Sequence, residues 1–224
     1  MKLWKMVFAL CLCGVTVLGL LLFQYGLFSS FGQEDLEGKW YTSIPAAERA
    51  EQSLLQFGIS YDIDDELKMT YEFHYQPDGT LTIRVEDSSA QEIADAQVEA
   101  LRDGLPELLY YQYQAEANLS REDTDAMLAA QGLTMESLVE QSLSQIDFKA
   151  QFASESMILT QYYCVKNGKL CYASDKAALE AEDYDMTVEP SLKGDTLILD
   201  NAINAEGEAF EGSGAVKYPL TLTR

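Results

Sequence analysis

The chain has 224 residues, with 37 Asp and Glu against 15 Lys and Arg and a net charge of -22, so it repels phosphate backbones, which argues against nucleic-acid binding. Hydrophobic residues at 47% with 13 Tyr and 9 Phe exclude a disordered chain, and the length suits one ordinary domain of about 100 to 150 residues plus an added segment. A single histidine, His74, removes every metal or catalytic constellation that needs two.

Met6 to Phe28 carries no charge, and as a helix rising about 1.5 Å per residue it crosses the roughly 30 Å hydrocarbon layer. Lys2 and Lys5 precede it and all 37 acidic residues follow it, from Glu34 onward. The positive-inside bias then predicts a single-pass protein of the cell membrane, anchored by residues 1–30, with residues 34–224 extracytoplasmic. A cleaved signal peptide ending near Ser30-Phe31-Gly32 is the alternative, and the domain is then secreted; the apolar run is longer than a signal peptide needs. Cys11 and Cys13 follow leucines where a lipobox wants a small residue, so they read as apolar helix residues.

Gly38 to Ile44 alternates at strand period, Pro45 stops it, and Ala46 to Phe57 reads as an amphipathic helix ended by Gly58. Met69 to Tyr75 and Thr80 to Glu86 form a hairpin across Gln76-Pro77-Asp78-Gly79, where Pro presets one turn dihedral and Gly takes the positive one. From about Ser89 to Phe152 the period changes to 3.6. A first helix meets Pro106, a second is capped by Ser120 with Asp123, and a third is capped by Thr134 with the stripe Leu138, Val139, Ser142, Leu143 and Ile146. Strands return at Met157 to Lys166 and Lys169 to Ser174 around Asn167-Gly168, then at Tyr184 to Glu189, Thr196 to Asp200 and Ala215 to Thr223. Eight strands suit a closed antiparallel barrel whose interior is filled or holds one small ligand. Pro219 within the last strand predicts a barrel open or irregular near strands one and eight.

In the Asn-Gly hairpin Cys164 opposes Cys171, at a separation that permits a disulfide, with two reduced thiols as the alternative. Asp62-Ile63-Asp64-Asp65-Glu66 lacks the glycine and the closing glutamate of an EF-hand and reads as a solvated loop. No nucleophile elbow, zinc-protease motif or phosphate loop is present, so no catalytic residue, metal ligand or cofactor is expected.

Leu36-Glu37-Gly38-Lys39-Trp40 resembles the opening of lipocalin-like domains, where a Gly-x-Trp on the first strand closes the barrel's bottom. Phe73-His74-Tyr75-Gln76-Pro77-Asp78-Gly79-Thr80 is similar to the "F-x-x-x-x-DGT" hairpin of small bacterial lipocalin-like proteins, many membrane-tethered or secreted. The likeness covers residues 34–87 and 156–224; the helical insertion at 89–152 departs from it. The resemblance implies a lipocalin-like β-barrel that binds something apolar or serves as a structural module; with the anchor and the helices read above, the expected fold class is α+β, an N-terminal transmembrane helix followed by an eight-stranded antiparallel lipocalin-like barrel with a helical insertion. The leading expectation is a non-enzymatic binding domain for a small apolar ligand or an envelope component. The expected lining is Trp40, Tyr71, Phe73, Leu81, Ile83, Tyr163, Tyr172 and Tyr218, with ordinary core packing as the competing account. A second expectation is a protein–protein module using Tyr110, Tyr111, Tyr113 and the Leu138 to Ile146 stripe. A third is an enzyme built from acidic residues, which would need two buried carboxylates in one cleft.

Overall fold

Alternating burial marks the strands wherever the sequence alternates: Leu197 and Leu199 are buried between less buried Thr196, Ile198 and Asp200, and Leu220 and Leu222 between exposed threonines. The computed structural model describes residues 31–153, 159–213 and 216–224. In chain order these hold β1 (Gly38–Pro45), α1 (Ala47–Leu55), β2 (Lys68–Tyr75) and β3 (Thr80–Val85). A helical run follows: α2 (Asp87–Ala117), α3 (Arg121–Ala130), α4 (Met135–Leu143) and α5 (Phe148–Ala153). The remainder is β4 (Leu159–Lys166), β5 (Lys169–Ala173), α6 (Lys176–Glu180), β6 (Met186–Lys193), β7 (Thr196–Asn204), β8 (Gly212–Ser213), β9 (Val216–Lys217) and β10 (Leu220–Thr223).

Eight of these strands close into an antiparallel barrel in the order β1-β10-β7-β6-β5-β4-β3-β2, while β8 and β9 form a separate two-stranded sheet. The expected fold class is therefore corrected in two respects. The barrel is closed where an open edge was expected, because the last expected strand divides. Pro219 sits in the bend between β9 and β10, outside the ladder, and Leu220 to Thr223 pairs with Leu199 to Thr196. The strand count rises from eight to ten, the extra pair being β8 and β9. Among the described residues no helix is long and apolar enough to cross a membrane, and the expected transmembrane segment, Met6 to Phe28, lies outside the described residues.

Of the described residues, one unit takes 31–40, 74–81 and 160–224, and the other takes 41–73 and 82–159. The second is built on a core of Leu54, Ile59, Met69, Val85, Ile93, Leu101, Val139, Leu143 and Phe148. Its longest helix, α2, starts where the Glu86 side chain accepts from Ser89 N, while buried Ser89 Oγ accepts from Thr70 N and donates to Lys68 O, tying the helix start to β2. It ends at Asn118 in the left-handed region (φ 53) and runs uninterrupted through Pro106, where the sequence suggested a kink or restart. The helix thus continues past the one ladder bond that proline cannot make.

Candidate functional site

The first unit places its aromatics on the inward-alternating positions of adjacent strands. Tyr163 and Tyr172 are direct Cα partners on β4 and β5, and both are almost wholly buried. Tyr75 joins them from β2: its ring stands edge-on to Tyr163, with centroids 4.9 Å apart and an interplanar angle of 89°. The hydroxyls of Tyr75 and Tyr172 share a buried 2.7 Å hydrogen bond, and the Tyr163 hydroxyl donates to Gln76 O at 2.8 Å. Burial pushes the Tyr163 and Tyr218 hydroxyls up to about 12, and raises Tyr75 and Tyr172 further still. All four phenols are neutral at physiological pH and are poor general bases. Tyr218, half-buried, lies 6.1 Å from the ring of Phe210.

Trp40 on β1 is fully buried, and its indole N–H donates to Leu36 O at 2.7 Å. The Arg224 guanidinium lies over its ring, 4.2 Å from the centroid, and donates to Asp35 O at 3.0 Å and Glu37 O at 2.9 Å. Trp40 is thus held on its polar edge by the preceding loop and on one face by a cation that is itself bonded to that loop's carbonyls.

The expected lining is divided by this arrangement. Trp40, Leu81, Tyr163, Tyr172 and Tyr218 belong to the first unit, whereas Tyr71, Phe73 and Ile83 belong to the second. Tyr71 packs against the helical core there. Tyr75, which supplies the central hydrogen bond, was not among the expected residues although it shares the alternating face of Tyr71 and Phe73. Arg224 and Phe210 carried no sequence signal.

In the second unit a cleft of about 150 Å³ opens between α2 and the start of α3, lined by Glu107, Tyr110, Tyr111, Gln114, Leu119 and Arg121. The Tyr110 hydroxyl donates to Asp125 at 2.6 Å, and that bond to a carboxylate raises its pKa. Arg121 lies over the Tyr110 ring, 4.8 Å from its centroid, and is ion-paired with Glu107. Tyr111 is 69% exposed, an unusual position for a large ring. The expected partner face is only partly present. Val139 and Leu143 of the α4 stripe are buried in the helical core, leaving Leu138 and Ile146 half-buried, so that stripe serves packing.

On the hairpin, Cys164 and Cys171 are Cα partners in the expected register and both are free thiols. Among the described residues no group of three or more His, Cys, Asp or Glu is arranged to hold a metal ion. Glu72 is buried at 4% exposure, but Arg84 donates to it at 3.1 Å and Tyr41 at 3.4 Å, so it is a paired structural carboxylate. No family model, curated protein or solved structure matches this chain.

Proposed function

We propose that this chain is a non-enzymatic binding domain working outside the cytoplasm, with the barrel as scaffold and the α2–α3 cleft as the recognition surface for a positively charged protein segment. The observation that carries the reading is Tyr111, 69% exposed beside a tyrosine that already bears a guanidinium on its face. Arg121 over Tyr110, with its charge met by Glu107, is an internal example of what these groups can hold, so a partner's lysine or arginine finds ring faces and carboxylates there.

The surroundings favour that sign of charge. Residues 87–153 contain thirteen Asp and Glu against Arg102, Arg121 and Lys149, and both arginines are paired, with Glu140 and Glu107. A second copy of the chain would bring like charge to the same face and be repelled. The small-ligand reading is less well supported: the polar atoms of Trp40, Tyr75, Tyr163 and Tyr172 bond to the protein itself, as in a barrel filled by its own side chains. The likeness of Gly38-Lys39-Trp40 and the Asp78-Gly79-Thr80 hairpin to lipocalin-like proteins, and the placement of every acidic residue after the uncharged Met6 to Phe28 run, support the extracytoplasmic location.

The test is a titration of the full chain, in nonionic detergent, with an amphipathic lysine–leucine peptide and with its glutamate–leucine counterpart. The lysine peptide binds and the glutamate peptide does not. Tyr111→Ala weakens binding about tenfold, or about 1.4 kcal/mol, while Glu206→Gln on the exposed turn after β7 leaves it unchanged. Equal affinity of Tyr111→Ala and the unaltered chain, or equal binding of the two peptides, refutes the proposal.

A further inference from the structure

Cys164 and Cys171 lie two residues out from Lys166 and Lys169, which flank the Asn167-Gly168 turn. Directly opposed antiparallel residues hold their Cα atoms about 4.5 to 5.5 Å apart, within the roughly 4.4 to 6.8 Å that a disulfide spans. Each thiol is free, and Cys171 Sγ donates to Lys169 O at 3.9 Å. Thr187 of β6 is the partner of Cys171 on its other side. The two sulfurs differ in access: Cys171 is 3% exposed, whereas Cys164 is half-buried. A directly opposed reduced pair, with one cysteine half-buried and the other shielded, is the arrangement of an entry thiol and a resolving thiol.

We infer that this pair is a thiol–disulfide exchange site, oxidised by a disulfide of the glutathione or protein-dithiol class, with Cys164 reacting first and Cys171 closing the bond. In the first step the Cys164 thiolate attacks one sulfur of the oxidant R–S–S–R. The oxidant's S–S bond breaks, one RSH leaves carrying the proton that Cys164 gave up, and Cys164 holds a mixed disulfide. In the second step Cys171, deprotonated, attacks the Cys164 sulfur and expels the second RS⁻, which takes the Cys171 proton. The protein loses two electrons and two protons and the oxidant gains both. Burial holds the Cys171 thiol up to about 11, with Lys166 and Lys169 opposing that shift, so the second step is the slow one near neutrality and quickens as pH rises. The inference is independent of the proposed partner surface, since all of its residues lie on the β4–β5 hairpin and β6.

The test uses the local sequence. Trypsin cuts after Lys166 and Lys169, which puts Cys164 and Cys171 on different peptides joined only if a disulfide links them. The full chain is treated with glutathione disulfide, alkylated and digested. The expected product is a linked peptide pair lighter by two hydrogen atoms than its parts, formed without disulfide-linked dimer on a non-reducing gel and released by reductant. Cys171→Ser traps glutathione on Cys164, and Cys164→Ser leaves Cys171 unmodified. Failure of the linked pair to form while the same sample's Cys164 becomes glutathionylated overturns the inference, as does equal modification of Cys171 in the Cys164→Ser chain. The peptide map of the unaltered chain decides the question even where a serine variant does not fold.

Discussion

Tyr75 and Tyr172 each bring one hydroxyl into the interior, and each satisfies the other. Tyr75→Phe or Tyr172→Phe alone strands the remaining hydroxyl and is expected to destabilise by about 1 to 3 kcal/mol. The double variant removes both groups and is expected to cost less than the sum of the single changes by about 1 kcal/mol. Chemical denaturation of the four chains measures this; strict additivity would show that the hydroxyls do not depend on each other. Neither residue's role was legible locally. The strand face of Tyr75 could be read from alternation, but its partner is 97 positions away along the chain, and only closure of the sheet brings the two together. Trp40 is the contrary case: its indole bond is made to Leu36, four residues back, and the motif that singled it out contains both residues.

Elements with local causes were legible, and elements with distant causes were not. Ser120 with Asp123 caps α3 and Thr134 caps α4 as their sequence suggested, because a cap is a bond across three residues; the structure adds Ser137 as the reciprocal partner of Thr134. The Asn167-Gly168 turn sets its hairpin in the expected register and Gln76 to Gly79 turns the chain from β2 to β3 for the same reason: Asn167, Gly168 and Gly79 all take positive φ, as such turns require. Helix α6 escaped notice because five residues give too little periodicity, although Asp175 caps it. Pro106 misled in the other direction, since a local rule suggested a kink or restart where α2 continues as one helix. The same helix offers a sharp test at Gly104, where an added Cβ would lie 2.6 Å from Cγ2 of buried Ile59. Alanine gains about 1 kcal/mol in helix propensity there, but overpacking against a branched core side chain costs about 1 to 3 kcal/mol. Gly104→Ala is therefore expected to lower stability by about 1 kcal/mol, read as a drop in denaturation midpoint. A rise in midpoint would mean that Ile59 moves aside freely.

For the whole molecule, the buried acids that stay protonated set an alkaline limit. Tyr163 and Tyr218 are held up to about 12 against an ordinary 10.0, and Cys171 up to about 11 against 9.0, chiefly by burial. Below pH 9 folded and unfolded chains hold the same protons on these groups, and the contribution is fully present. As pH passes 9 and then 10, the unfolded chain releases protons that the folded chain keeps, so stability falls until the folded groups ionise near 11 and 12. Denaturation curves across this range should show the decline, and a stability that stays constant between pH 9 and 11 would contradict it. Barrel closure has a further effect on recognition. A ring of eight paired strands offers no spare ladder of amide and carbonyl groups, so an incoming peptide cannot extend that sheet by adding itself as another strand. Whatever docks on the ring must be read by side chains alone, which leaves selectivity to a few rings and charges that single substitutions can retune.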